Sequence, residues 1–243
     1  YYDGDSSKVV LGEAVRAKLG EVRAITTLNG FQCFDLQEAI DNTVPQGGME
    51  DERIQLILYP GNFQLPTAVT INKKVSIYLS NTNISIPKDT AGDGVFHVVK
   101  GGDLTIYGQG VIDGCGDNKY NIAVFVEGGK LTINGGTYTN ENLLVKDYDT
   151  DADHFDLIYV KGGEAIINDG VFKGFTHDWL LNIRDDRRQD SSIVVNGGFF
   201  YGFNPADNAT EGEGTNYVAD GVEVVDRESG LWAVGASVNA AIP

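Results

Sequence analysis

Cysteine is nearly missing. Cys33 and Cys115 are the only two in 243 residues, too few for a disulfide framework, and they leave either two free thiols or one bridge between them. Basic residues are scarce as well: 18 lysines and arginines stand against 35 aspartates and glutamates, a formal charge of −17. A surface this acidic repels phosphate backbones and anionic headgroups, which argues against nucleic acid and membrane as partners. No run of about 18 apolar residues exists, so no helix of this sequence spans a bilayer. Proline is sparse at 6 and glycine abundant at 31, the balance of a turn-rich all-β chain.

What is abundant is a phrase that returns. Gly101-Gly102-Asp103-Leu104-Thr105-Ile106 is followed by Gly128-Gly129-Lys130-Leu131-Thr132-Ile133 and by Gly162-Gly163-Glu164-Ala165-Ile166-Ile167. A looser copy reads Ser192-Ile193-Val194-Val195-Asn196-Gly197-Gly198. Self-similarity at a spacing of a few tens of residues is the mark of stacked repeats. Each copy has a short apolar strand before the double glycine: Val95–Val99, Ala123–Val126, Leu157–Val160 and Leu180–Ile183. Alternation places Leu131 and Ile133 inward and Lys130, Thr132 and Asn134 outward, with Leu104 and Ile106 in the same phase. Asn134, Asn168 and Asn196 fall at one equivalent position, as either an asparagine ladder or ordinary turn asparagines. These features predict an all-β, parallel β-helix.

Outside the repeat, residues 1–30 read as an arm or anchor, with a short amphipathic helix near Val9 to Leu19 and a linker or extended arm over 20–32. Asp35 to Asn42 reads as a helix, with Asp35 and Glu38 spaced as a capping box and Leu36, Ala39 and Ile40 on one face. This helix is the expected lid on the first coil, because an open solenoid end exposes an apolar disc and an unpaired strand edge. Ile54 to Phe63 reads strand, turn, strand. The solenoid spans 31–203, and 204–243 forms a C-terminal cap and tail, with a closing hairpin from Val218–Val225 and Leu231–Val234. Residues 236–243 read as an arm that is ordered only against a partner.

The combination Asp35-Leu36-Gln37-Glu38-Ala39-Ile40, Tyr59-Pro60-Gly61-Asn62-Phe63 and the Gly-Gly-x-Leu-Thr-Ile coils resembles the pectin-lyase-like right-handed parallel β-helix superfamily. More narrowly, Ser192 to Phe200, with Phe203 to Asn208 and Thr215 to Gly221, is similar to β-helical virion proteins of tailed bacteriophages and prophages. The resemblance covers roughly residues 30–235. It implies a head or tail fibre, decoration or tailspike-like protein at the virion surface or outside the cell. It further implies homotrimers, contact with other virion proteins, and in some members binding or cleavage of host polysaccharide.

Catalytic residues do not stand out. The polygalacturonase-like series of Asn-Thr-Asp, Asp-Asp, Gly-His-Gly and Arg-x-Lys is missing; Asp185-Asp186 is the sole Asp-Asp pair and no Gly-His-Gly follows it. His177 and Asp178, with Asp185 and Asp186, are the remaining acid/base candidates. His154 and the arginines Arg184, Arg187 and Arg188 lie nearby in sequence. In the alternative reading, a polysaccharide depolymerase, two such carboxyls stand about 6.5–9.5 Å apart. Asp147, Asp149, Asp151 and Asp153 resemble the first half of a calcium loop. Ala152 replaces its glycine and Ile158 its closing glutamate, so no cofactor is expected beyond a weak Ca²⁺ site. Tyr120, Tyr138, Tyr148 and Tyr201 are candidates for stacking on sugars, and His97 reads as a structural strand histidine. The expectation is a virion structural protein rather than an enzyme.

Overall fold

The double-glycine copies lie side by side and run the same way. The computed structural model describes residues 21–22, 26–28, 31–33, 36–42, 53–86, 94–114, 122–140, 156–174, 179–228 and 230–243. Strands β9 (Asp103–Asp113), β11 (Lys130–Thr139) and β13 (Gly163–Lys173) are parallel neighbours. Leu131 faces Leu104 and Ala165, and Ile133 faces Ile106 and Ile167. Toward the N-terminus the ladder continues through β7 (Lys74–Ser85) to β4 (Ile54–Leu58) and β5 (Gly61–Gln64). Toward the C-terminus it continues to β15 (Ser191–Val195) and β16 (Gly198–Tyr201).

A second, five-stranded sheet holds β6 (Val69–Ile71), β8 (Phe96–Val99), β10 (Val124–Glu127), β12 (Ile158–Val160) and β14 (Leu181–Ile183). The chain visits this sheet and the larger one in turn, so partners in each sheet come from successive passes. The architecture is all-β with parallel sheets, compatible with a β-helix-like fold.

The alternation read from sequence sets what each pass buries. Ile54, Val75, Leu104, Leu131, Ala165 and Ile193 form one buried column. Leu56, Ile77, Ile106, Ile133, Ile167 and Val195 form the next. Each Val, Leu or Ile in these columns contributes about 1.5–3 kcal/mol when fully buried.

The double glycine has two separate causes. The first of each pair needs positive φ: +90° at Gly101, +83° at Gly128 and +84° at Gly162. The second lacks room for a side chain. A Cβ on Gly102 would stand 2.1 Å from Ile71 O, on Gly129 2.6 Å from Val99 O, and on Gly163 2.1 Å from Gly129 O. The corner therefore brings backbone against the previous pass, and only glycine permits both conditions.

Past the bend of the long strands, Ile84, Ile112, Tyr138, Phe172 and Phe200 form an interior column. The Tyr138 and Phe172 ring centroids are 5.1 Å apart, and those of Phe172 and Phe200 4.7 Å. Both pairs are stacked. Tyr138 is fully buried, donates its hydroxyl to Gly135 O at 3.1 Å, and has a phenol pushed far up by that burial. It is therefore a core residue, and the sugar-stacking role expected of it is corrected. On the outside, Asn168 Nδ2 donates to Asn134 Oδ1 (2.8 Å) and Asn196 Nδ2 to Asn168 Oδ1 (2.9 Å). The three asparagines form a ladder.

Both exposed edges of the five-stranded sheet meet a side chain. Helix α1 (Leu36–Asn42) buries Leu36 and Ile40 in the main core. Its Gln37 faces edge strand β6: Oε1 accepts from Thr70 N–H (2.7 Å) and Nε2 donates to Thr70 O (3.2 Å). Lys73 Nζ donates to the helix carbonyls of Ile40 and Asp41. Asp35, the expected capping residue, lies outside the described residues. So do Cys115 and the helix expected near Val9 to Leu19. At the other edge, Glu211 Oε1 accepts from Ile183 N–H on β14 (2.7 Å) and from the Tyr217 hydroxyl (3.0 Å).

Several boundaries differ from the sequence reading. Residues 21–33, read as a linker or extended arm as far as 32, carry β1 (Glu21–Val22), β2 (Thr26–Leu28) and β3 (Phe31–Cys33). β1 pairs with β4 and β3 with β5, both in parallel. The closing hairpin is β17 (Val224–Glu228) with β18 (Leu231–Val234), antiparallel, and β18 pairs on β16. Val218 instead makes a lone parallel bridge to Val195. Trp232 packs against the core. Residues Gly235–Asn239 form a 3₁₀ turn, and Val238 packs against the cluster of Phe199, Leu231 and Ala233.

Two outcomes check this description. Phe172→Ala removes the middle ring of a closed column and lowers stability by about 3–5 kcal/mol in urea unfolding; a loss under about 1 kcal/mol contradicts the stack. Glu211→Ala strips the Ile183 amide of its acceptor, a defect of about 1–3 kcal/mol, and speeds hydrogen exchange at Ile183 roughly tenfold or more while the β11 amides keep their protection.

Candidate functional site

Charge on the outer surface is arranged in columns by the same register that fills the interior. Asp103, Lys130 and Glu164 each follow a double glycine, alternate in sign and face one another across β9, β11 and β13. Lys130 Nζ lies 2.5 Å from Glu164 Oε1, and Arg53 reaches Asp103 Oδ2 at 2.5 Å. Glu164 raises the Lys130 ammonium pKa above its ordinary value. Arg53 also donates to Val75 O, Asp103 O and Thr105 Oγ1, tying three passes together.

A second constellation sits on the outer face of the five-stranded sheet. His97 on β8 stacks on Phe125 of β10 (4.8 Å), and Phe125 on Tyr159 of β12 (5.3 Å). Beside this row, His97 Nε2 lies 3.0 Å from Glu127 Oε2, while Lys161 Nζ donates to Glu127 Oε1 at 2.6 Å. Lys161 first, and His97 after it, hold the Glu127 carboxyl below the usual value against the opposing effect of burial. Glu127 is therefore an ionised brace, unsuited to donate a proton as a general acid. Burial, with the Asp156 carboxylate next, pushes the Tyr159 phenol up to about 12. Asp156 is itself buried and accepts from Asn182 Nδ2 at 2.6 Å.

Asp185 and Asp186 lie in a 3₁₀ turn, Asp185–Asp190, between β14 and β15. Asp185 accepts from Arg188 (2.6 Å) and Asp186 lies 2.7 Å from Arg184 Nε. Arg187 pairs with Asp190 and holds its carboxyl below the ordinary range. These exposed ion pairs are worth little individually, and Asp185 and Asp186 are each committed to an arginine. Arg188 also approaches Glu211. Glu211 Oε2 is buried 2.7 Å from Arg188 Nε, without the alignment of a hydrogen bond. The Tyr217 hydroxyl beside it is pushed far up, chiefly by burial.

His154, His177, Asp178 and the calcium-loop candidates Asp147, Asp149, Asp151 and Asp153 lie outside the described residues, as do Tyr120 and Tyr148. Among the described residues no group of three metal-ligating side chains gathers. Tyr201 is half-buried under Lys173, whose Nζ is 4.4 Å from the ring centroid. The His97–Glu127–Lys161 contact was not anticipated from sequence. Its signal was there: Glu127 and Lys161 each stand immediately before a double glycine in successive copies.

Comparison with known proteins returns no similar one: no protein-family model, no curated protein and no solved structure matches this chain.

The sign of the Glu127 effect is testable. A carboxyl held below its usual value of 4.5 stabilises the fold fully above that pH, and the contribution disappears as pH falls through the lowered value. Wild type is therefore more stable than Glu127→Gln at pH 6, and the gap narrows as pH falls below 4.5 in matched urea titrations. A gap that stays constant over that span contradicts the brace.

Proposed function

We propose that this chain is a non-enzymatic structural module: a right-handed parallel β-helix of the virion fibre, decoration or tailspike-like kind. In this reading it forms homotrimers on a particle and adheres to host surface glycans. Helix α1 is the lid of the first coil, and β17–β18 with Glu211 closes the last. The observation that carries the reading is continuous parallel register from β4 to β15. Such a ladder makes a stiff body whose length follows from the number of passes.

Three further features support it. The sequence motifs resemble virion β-helix proteins. The outer carboxylates Asp103, Glu127, Glu164, Asp185 and Asp186 are held by cations of the same chain, as suits a scaffold. The strong negative charge favours solubility of a crowded assembly.

Sedimentation equilibrium together with electron microscopy of intact particles tests the proposal. The expected result is a mass of three chains and density for this stack at the particle surface. A stable monomer overturns the assembly, and release of oligosaccharide from capsular polysaccharide by the pure protein establishes the depolymerase reading instead.

A further inference from the structure

A groove of about 820 Å³ runs along the outside of the bend in the large sheet, between the asparagine ladder and the C-terminal segment. Its size falls within the range of small-ligand sites. Its floor is backbone. Gly108, Gly110, Gly135, Gly136 and Gly170 line it without side chains, so the peptide planes of neighbouring passes are bare toward the groove.

One wall is the ladder. Asn134 and Asn168 line the groove with carboxamides oriented by their mutual bond. An amide offers two N–H donors and two acceptor lone pairs. A ladder bond takes one donor from the upper residue and one lone pair from the lower. Each side chain therefore presents further donor and acceptor capacity at fixed orientation, repeated at the inter-strand spacing of about 4.8 Å.

The other wall is small and apolar, formed by Ala236, Ala240, Ala241 and Pro243. It is pinned in place. Arg227 Nη1 donates to the carbonyls of Ser237 (3.3 Å), Val238 (2.6 Å) and Ala240 (3.2 Å). The buried Ser237 hydroxyl oxygen accepts from Gly198 N–H at 3.1 Å.

Charge narrows the occupant. Asp169 is the one ionisable side chain among those lining the groove, and its Oδ1 already accepts from Gly170 N–H (2.8 Å). With no cation in the lining and a net charge of −17, polyanions are repelled. One carboxylate is too few for a Ca²⁺ site. An added peptide strand is unsuited too, because β9, β11 and β13 are paired on both sides and leave no free edge. What remains is an uncharged chain dense in hydroxyl groups. Its hydroxyls bond to fixed amides and peptide groups, while its C–H faces lie on the alanine wall.

We propose that this groove is a binding site for neutral oligosaccharides. The proposal deepens the adhesive part of the reading above and rests on it. The test uses a glycan array carrying neutral hexose and N-acetylhexosamine oligomers beside uronate, sialylated and sulfated ones. The best-bound neutral hexasaccharide is then titrated by calorimetry into folded wild type and three variants. Ala241→Trp fills the groove from the tail side. Asn134→Asp keeps the acceptor for Asn168 but removes the amide donors. Gln55→Trp alters an exposed position on another column as a control.

The expected result is binding of neutral members, weakened at least tenfold by Ala241→Trp and by Asn134→Asp and unchanged by Gln55→Trp. Binding confined to anionic members, no binding of neutral ones, or indifference to both groove variants overturns the site. The two readings fail separately. A chain located on a particle that binds no neutral glycan loses the groove and keeps its assembly. A chain that binds neutral glycan through the groove but is found on no particle does the reverse.

Discussion

A parallel ladder continues only while each pass of the chain returns to the same height beside the last. In this protein the double glycine decides that return. The first glycine turns the chain at positive φ, and the second lets it lie against the previous backbone where a Cβ would stand 2.1–2.6 Å from a carbonyl oxygen. Once that corner is fixed, the residues that follow pair in register as far as the bend, where the ladder shifts and then resumes. Like residues stack on like, so apolar columns fill the inside and ladders of amide and charge form outside. The Asn134–Asn168–Asn196 ladder, the Lys130–Glu164 pair and the Tyr138–Phe172–Phe200 stack are three consequences of one spacing.

The same geometry creates a liability at the ends. A parallel stack presents unpaired N–H and C=O groups at its first and last strands, and such edges recruit other chains. The two edges of the five-stranded sheet meet it with single side chains. Gln37 offers β6 both an acceptor and a donor, as a neighbouring strand does, and Glu211 offers β14 an acceptor. The larger sheet ends differently, in an antiparallel hairpin that reverses direction and stops the ladder. Its last strand carries Asp226, Arg227 and Glu228, charges that discourage further pairing.

Much of this was legible before any coordinates. The repeats gave the parallel pairing, and alternation gave the inward positions Leu104, Ile106, Leu131 and Ile133. The apolar segments before each double glycine became the second sheet. Asparagine at equivalent turn positions allowed a ladder but did not decide it, because turn asparagines serve equally well as local hydrogen-bond partners. Tyr138 was misjudged because residue type alone does not say which face a tyrosine occupies; its register with Ile112 and Phe172 does. Gln37 and Glu211 left no signal, since each acts on a strand far away in sequence. The short strands within 21–33 escaped because two or three residues carry no periodicity.

Parallel register across the double-glycine passes is the central claim, and NOE spectroscopy of the fully protonated, isotope-labelled protein tests it most directly. Backbone contacts between consecutive passes, linking Leu104 with Leu131 and Leu131 with Ala165, without short Hα–Hα distances among β9, β11 and β13, are the result it predicts. Strong Hα–Hα contacts between those strands mark antiparallel pairing and would contradict it.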